Sequence, residues 1–306
     1  MIIAPVETPV ILASNVPQVE VYVLVWNSTD TYLLGDEVQV NGSVNKKYKA
    51  SQNVPAGVDP SVDADKDSGV GTYWVYIEAT NYAKPFEVLN SSVATQADSI
   101  SYTFAMSDID VMLLTSLHAK TVQVIVTNLD NGVVVSDETY TTWQREVYYW
   151  FDWTYAKEEY KTKLTVELPL IYNASVQVIL SDVGNTVQIG HLVYGRSQDV
   201  GLTLANPAPT TTRRSLTSKS RDDFGNIITR KKIRFWQMSI NCLIDSVSID
   251  IIEDRLEKFV DTPCIIVGDF RTGGYETLSI FGEIKDHDMP IGISKTQYKL
   301  EVEGYL

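Results

Sequence analysis

Alternation of hydrophobic and polar residues predicts strands along most of the chain. Between residues 81 and 205, short runs of β-branched and aromatic residues are separated by turn-forming residues. We place strands at Ser99–Met106, Val111–Leu117, Thr121–Asn128, Val133–Thr139, Leu164–Pro169, Val176–Leu180 and Gln188–Tyr194. Asp130-Asn131-Gly132 predicts a type I′ hairpin turn, because Asn-Gly tolerates positive φ angles. This spacing of short strands is typical of a β-sandwich of jelly-roll kind.

A helical pattern replaces the strand pattern near the C terminus. Ile252, Leu256 and Phe259 fall on one face of a predicted helix, and either Asp245 or Ser246 can cap it. Strands are predicted after it at Pro263–Gly268, Glu276–Gly282 and Thr296–Val302. We therefore predict an α+β domain over residues 206–306, in which one helix covers a sheet.

The first 80 residues divide into an arm and a small module. Pro5, Pro9 and Pro17 exclude a helix in residues 1–20 and predict an extended arm. That arm forms an edge strand, a frayed terminus or a contact with a neighbouring subunit. Residues 21–80 are short and aromatic, and a proline-containing junction follows them, so we predict a small β module. The fold class is thus mainly β: module, sandwich and α+β domain.

Three aromatic residues of the module are candidates for glycan binding. Trp26, Tyr73 and Trp74 carry ring faces that can stack on the polarised C–H bonds of a sugar. A module of this size also needs aromatic side chains to build a core. The sequence leaves both uses open.

The loop before Tyr73 is acidic and resembles the start of a calcium site. Asp63, Asp65 and Asp67 alternate, so their carboxylates could converge on one ion. The pattern then departs from a calcium loop, because Gly69 comes one position late and Trp74 stands in place of the closing glutamate. We expect a solvated acidic loop and no metal site.

An aromatic segment interrupts the sandwich pattern. Residues 143–160 include eight aromatic residues: Trp143, Tyr148, Tyr149, Trp150, Phe151, Trp153, Tyr155 and Tyr160. Either some of them, with Trp150 and Trp153 as candidates, lie at a subunit contact or binding face, or all of them belong to a broad sandwich core.

A basic hairpin follows a linker of Asn, Pro, Ala and Thr at residues 206–212. Residues 213–234 hold 8 of the chain's 25 basic residues, on both sides of a turn at Asp223-Phe224-Gly225-Asn226. Arg230, Lys231 and Lys232 are candidates for binding an acidic partner protein. The alternative is that these charges only protect an exposed hairpin edge from pairing wrongly.

Composition narrows the classes of function. A net charge of -14 disfavours direct binding to nucleic acid. The three histidines lie in separate segments without a nucleophile motif, so we expect neither an enzyme nor a cofactor. Cys242 and Cys264 are expected to be buried thiols. Residues 1–14 lack a secretory pattern, and no apolar run approaches the roughly 20 residues of a membrane span, so we expect no membrane insertion.

The module carries an ordered set of residues: Tyr32, Gly35, Asp36 and Val38 in a Tyr-x-x-Gly-Asp-x-Val turn, and then Tyr48. This set resembles a carbohydrate-binding module of the chitin-binding type. Further motifs span nearly the full length: Asn81–Leu89, Gly190–Arg196, Gly201–Thr203, Asp222–Asn226, Tyr275-Glu276 and Glu301–Gly304. Taken together, the chain resembles a family of structural proteins from tailed bacteriophages, the tail or virion proteins.

The resemblance implies a structural role in a bacteriophage tail, as a tail, collar or tail-tip adaptor. Such a protein would form a homo-oligomeric ring, contact other tail or neck proteins, and reside in the virion after synthesis in the bacterial cytoplasm. The alternative that it implies is a glycan- or receptor-binding adaptor that uses the aromatic module to bind a host surface glycan.

Overall fold

The protein is described here by a computed structural model that covers residues 1–6, 10–42, 44–64, 69–88, 92–144, 147–155, 159–221, 227–269 and 275–305. For residues 215–221 and 227–234 it describes the backbone only. Strands account for 53% of the structure and helices for 11%, so the mainly-β prediction is confirmed.

The elements follow one another in a simple order. Up to the aromatic segment they are β1 (Ile2–Pro5), β2 (Val10–Ser14), β3 (Leu24–Val25), β4 (Glu37–Val40), β5 (Lys46–Ala50), α1 (Pro60–Asp63), β6 (Trp74–Ala79), a 3-10 turn (Lys84–Phe86), β7 (Ala94–Met106), β8 (Val111–Thr115), β9 (Thr121–Asn128), β10 (Val134–Thr141) and β11 (Trp143–Gln144). The rest are α2 (Trp150–Tyr155), β12 (Glu159–Tyr160), β13 (Lys163–Glu167), β14 (Ala174–Ile189), β15 (His191–Gly195), β16 (Gln198–Asp199), β17 (Leu202–Thr203), β18 (Thr210–Arg221), β19 (Ile227–Asp245), a 3-10 turn (Ser246–Ser248), α3 (Ile249–Glu257), β20 (Cys264–Val267), a 3-10 turn (Glu276–Leu278), β21 (Ser279–Asp288) and β22 (Lys295–Gly304).

Two antiparallel sheets form the sandwich. A five-stranded sheet, in the order β10-β9-β14-β7-β2, packs on a three-stranded sheet in the order β13-β8-β15. The core between them takes alternate side chains from each strand, among them Tyr102 and Phe104 from β7 and Tyr194 from β15. The rings of Phe104 and Tyr194 are parallel, with centroids 4.5 Å apart. The buried face of β7 thus takes every second residue from Ile100 to Met106, as the two-residue period of a strand requires.

The three-stranded sheet is buried on both faces. In β8, Met112 and Leu114 point into the sandwich core, whereas Val111 and Leu113 pack in a second core. That second core contains Ile265 and Val267 of β20 and Phe281 of β21. A third layer of strands thus covers the outer face of the sandwich, which explains the uninterrupted apolar run in β8.

The third layer is an eight-stranded sheet, in the order β16-β1-β20-β21-β22-β19-β17 with β18 paired to β19. Its far face packs against α3 through Ile252, Leu256 and Phe259, so the helix-on-sheet prediction is confirmed. The capping prediction is wrong, because a 3-10 turn precedes α3. Ser248, rather than Asp245 or Ser246, occupies the position before the helix and makes no capping bond with its side chain.

The first 14 residues belong to two of these sheets. Strand β1 lies between β16 and β20 of the same chain, and β2 forms the edge of the five-stranded sheet beside β7. Glycine is needed at residue 195 because β1 passes so closely that an added Cβ would lie 1.9 Å from the Pro5 carbonyl oxygen. Strand β1 is therefore an interior strand, and its backbone bonds are made within the chain.

The small module is inserted between β2 and β7. Its four strands have the order β3-β4-β5-β6, and its core consists of its own residues. The chain enters and leaves at one place, because the Asn81 amide donates to Glu20 Oε1 at 2.7 Å. Lys47 bridges Glu20 at 3.2 Å and Glu78 at 2.7 Å beside this crossing.

Two further local predictions differ from the structure. Strand β14 contains the predicted run Val176–Leu180 and continues through the predicted turn, with a register shift between Ser181 and Thr186, to Ile189. The second predicted run, Gln188–Tyr194, is therefore divided between the end of β14 and β15. The hairpin between β9 and β10 is present, but only Gly132 of its predicted turn has a positive φ (69°). The turn is therefore longer than a two-residue type I′ turn, which needs two positive φ angles.

Candidate interaction surfaces

The Tyr-x-x-Gly-Asp-x-Val residues of the module serve its own folding. The Tyr32 hydroxyl accepts from the Asn27 amide at 2.7 Å, and the Asp36 carboxylate accepts from the Leu33 amide at 2.7 Å. Gly35 adopts a positive φ of 94° in that turn. The side chain of Val38 is fully buried. The motif thus closes a turn over a small core.

The three glycan candidates do not form one surface. Trp74 is fully buried, packs edge-on against Tyr32 at 5.3 Å and donates from Nε1 to the Val58 carbonyl at 3.2 Å. Neither face of its ring reaches solvent, so of the two uses left open by the sequence this structure shows the core use for Trp74. The backbones of Trp26 and Tyr73 lie beside opposite edge strands and at opposite ends of the sheet.

The acidic loop has a structural role at its first carboxylate. Asp63 Oδ2 accepts the backbone N–H groups of Tyr73 and Trp74, each at 2.8 Å. Asp65 and Asp67 lie outside the described residues. Within the described ranges, no group of three or more His, Cys, Asp or Glu residues could hold a metal ion.

The described residues of the aromatic segment, 143–144, 147–155 and 159–160, form what we call the aromatic protrusion. Its base is the β11–β12 ribbon, in which Trp143 pairs with Tyr160. The Tyr160 ring stacks on His118 at 4.1 Å, and its hydroxyl donates to Asp182 at 3.0 Å. These half-buried residues fix the protrusion to the sandwich.

The outer part of the aromatic protrusion is exposed. Helix α2 has no buried residue, and the exposed fraction is 83% for Trp150 and 69% for Trp153. Four further exposed rings are close in sequence: Tyr148, Tyr149, Phe151 and Tyr155. The sandwich core thus takes up none of these six rings. Concentrations of exposed tryptophan and tyrosine are typical of protein interfaces.

A cleft of about 470 Å³, the Trp236 cleft, lies at the base of the protrusion. Its wall includes residues from five parts of the chain: Gln144, Lys163, Arg213, Trp236, and Tyr275 with Glu276. Gln144 belongs to the aromatic protrusion, while Arg213 and Trp236 pair across β18 and β19. The cleft therefore joins the base of the aromatic protrusion to the base of the basic hairpin.

Two cations lie against the Trp236 ring. Lys163 Nζ is 4.3 Å and Arg213 Cζ is 4.1 Å from the ring centroid, distances typical of cation–π contacts. Lys163 also donates to the Ser279 carbonyl at 3.0 Å. Burial, and secondly the charge of Arg213, lower the pKa of Lys163 to about 8. The sequence did not single out this cluster, because its members come from strands far apart in the chain.

The backbone of the basic hairpin is formed by β18 and β19, which pair from Thr210↔Ser239 to Arg221↔Ile227. The candidates Arg230, Lys231 and Lys232 are on β19, and Lys231 and Lys232 are level with Ser218 and Thr217. Their side chains, and the predicted turn at residues 223–226, lie outside the described part.

The histidines and cysteines are separate in space as well as in sequence. His191 is buried beside Thr115, with Nδ1 3.2 Å from Oγ1, and burial lowers its pKa to about 4. Cys242 and Cys264 are free and buried, and burial raises their pKa values to about 11 and about 12. These groups have the properties of core residues.

Comparison of the chain with protein-family models, curated proteins and solved structures finds no match. Among the described residues, no helix is both long enough and apolar enough to cross a membrane.

Proposed function

We propose that the protein is a structural component of a tailed-bacteriophage particle, in the tail, collar or tail tip, where it binds neighbouring virion proteins. The observation that carries this proposal is the aromatic protrusion, which is fixed at its base and exposes six aromatic rings. Tryptophan and tyrosine dominate the binding energy of many protein interfaces. The motifs spread along the chain supply the link to phage tail proteins.

The proposed activity is binding, without a catalysed reaction or a cofactor. The contacts of Tyr160 with His118 and Asp182 favour this role, because they attach the base of the protrusion to the sandwich. The proposed partners are other tail or neck proteins and further copies of this chain in a ring, which would repeat the same contacts by symmetry. Assembly would take place in the bacterial cytoplasm, before release of virions.

The test replaces the two most prominent rings in a phage that encodes the protein. In the Trp150→Ser, Trp153→Ser double variant we expect normal folding and at least a tenfold loss of incorporation into particles, because each lost anchor costs about 2 kcal/mol or more of binding free energy. Quantitative mass spectrometry of purified virions measures the incorporation. The matched control is Tyr22→Ser with Tyr172→Ser, two exposed rings outside the protrusion. Equal incorporation of both double variants would remove the protrusion from the proposal, and absence of the wild-type protein from virions would refute the proposal itself.

The basic hairpin is tested separately by Arg230→Glu, Lys231→Glu and Lys232→Glu together. If these residues dock on an acidic neighbour, charge reversal makes the contact repulsive and blocks incorporation while the fold persists. The control applies the same change of charge to three exposed lysines elsewhere, Lys258, Lys295 and Lys299. Normal particles with the hairpin variant would show that its charge serves only solvation.

A further inference from the structure

We propose that the Trp236 cleft binds a carboxylate on an acidic segment of a partner protein, with Arg213 and Lys163 as its cationic ligands and Trp236 as its apolar wall. The inference deepens the proposed function, on which it rests, by giving the chemistry of one contact. It concerns a site distinct from the exposed rings of the aromatic protrusion.

The two cations are held in position by uncharged groups. Lys163 is held by the Ser279 carbonyl and the Trp236 ring, and Arg213 lies over the same ring from the exposed side of β18. In the described part of the chain, neither of them forms an ion pair with a carboxylate. The one acidic residue of the wall, Glu276, pairs instead with Lys161 at 3.2 Å.

Uncompensated positive charge in this place is costly without a ligand. The lowered pKa of Lys163 shows that its protonated form is disfavoured by burial and by Arg213. An incoming carboxylate would offset both effects, since it brings the opposite charge and accepts hydrogen bonds from both side chains. The chain as a whole has a net charge of -14, so the positive charge of Lys163 and Arg213 is opposite in sign to the net charge of the protein.

A protein carboxylate fits the cleft better than a polyanionic nucleic acid. A nucleic acid carries a negative charge on every phosphate, and the net charge of -14 repels those that lie outside the cleft, whereas a single carboxylate is matched by Lys163 and Arg213. The aromatic walls, Trp236 and Tyr275, suit the methylene groups of a glutamate side chain or its apolar neighbours. A volume of about 470 Å³ accommodates a few residues of an extended segment.

The experiment titrates the full-length protein with a hexaglutamate peptide blocked at both ends, at constant ionic strength and pH 7, and follows binding by isothermal titration calorimetry. We expect saturable binding of one peptide per chain and no binding of the matched hexaglutamine peptide. Arg213→Gln should weaken the affinity about tenfold, the usual effect of losing one charge-assisted hydrogen bond. Arg214→Gln is the matched control and should stay within about twofold, because adjacent residues in a strand point to opposite faces.

Two substitutions of Lys163 separate the effect of its positive charge from the effect of its packing. Lys163→Arg should retain binding better than Lys163→Met, since both fill the site but only arginine keeps the cation. Equal losses in Arg213→Gln and Arg214→Gln, absence of saturable binding, or tighter binding of inorganic triphosphate would each overturn the inference. These outcomes leave the proposed function standing, because the presence of the protein in virions is measured independently.

Discussion

Ile3 lies directly opposite Ile266, so the first strand of the chain pairs with the twentieth. Both side chains are fully buried in the core that faces α3. We expect Ile3→Ala to lower the free energy of unfolding by about 2–5 kcal/mol, as truncation of a buried isoleucine usually does. Ile293→Ala, the same change at a fully exposed position, should cost less than about 0.5 kcal/mol. Chemical denaturation measures both, and equal midpoints would contradict the placement of β1.

Excision of the module should leave the remaining sheets folded. Glu20 and Asn81 are in contact, so a short Gly-Ser linker can replace residues 21–79 without moving either end. We expect a cooperative melt within a few degrees of the full-length protein, measured by calorimetry. Loss of a cooperative transition would show that the module and the sandwich fold as one unit. A deletion of residues 1–79 is the informative counterpart, because it also removes β1 and β2 and should unfold the protein.

The two tryptophans of the module should respond differently to truncation. Trp74→Ala removes a buried ring and should destabilise the module by about 3–5 kcal/mol, whereas the half-buried Trp26 should tolerate alanine with a cost nearer 1 kcal/mol. Hydrogen exchange of β4 and β5 reports the stability of the module within the whole chain. A greater effect of Trp26→Ala would reverse the assignment. Any glycan assay should therefore use Trp26→Ala, since Trp74→Ala would lose binding through unfolding.

The pH dependence of stability should reveal the lowered pKa of Lys163. Its pKa is about 8 in the folded protein and near 10.5 in the unfolded chain, so the unfolded state binds more protons between these values. The unfavourable contribution of Lys163 is thus fully present below pH 8 and disappears as the pH rises towards 10.5. We expect Lys163→Met to gain stability relative to the wild type at pH 7, by about 1–2 kcal/mol, and to lose that advantage by pH 10. An advantage that does not change with pH would show that the pKa of Lys163 is not lowered.

Neither cysteine should react in the native state. The raised pKa values of Cys242 and Cys264 leave almost no thiolate at pH 8, and both sulfur atoms are buried. Ellman's reagent should therefore titrate no thiol in the folded protein and both after denaturation. Rapid reaction of one thiol without denaturant would indicate that its part of the sheet opens locally.

Much of the fold follows from local pattern. The alternation in β7 and β9, the helical face of α3 and the small module were all predictable, because each of these elements buries one face. The run Val111–Leu114 was recognised as a strand, but its two buried faces depend on a layer contributed by β1, β20 and β21. Gly184-Asn185 is a dipeptide typical of turns, yet it lies within β14. Gly184 has a φ of 85° there, at the place where the register of β14 shifts.

The candidate surfaces were only partly predictable. The number of aromatic residues in the segment indicated that some of them could lie at the surface. Helix α2 was not predicted, because its sequence does not place apolar residues on one helical face and polar residues on the other. Trp74, one of the glycan candidates, is a core residue. The sequence could not distinguish the two uses, because tryptophan both stacks on sugars and fills small cores. The Trp236 cleft could not be predicted, because Lys163 comes close to the Arg213–Trp236 pair only after the sandwich and the C-terminal sheet have packed together.

The pairing of β1 with β20 also means that the eight-stranded sheet can form only late in synthesis on the ribosome. At about 5–20 residues per second, β20 emerges on the order of tens of seconds after β1. Until β20 arrives, β1 can pair only with the two-residue strand β16, and the outer face of the three-stranded sheet, with Val111 and Leu113, has no cover. The nascent chain therefore exposes an apolar sheet face until its last hundred residues arrive, which makes translation speed and chaperone access determinants of its yield.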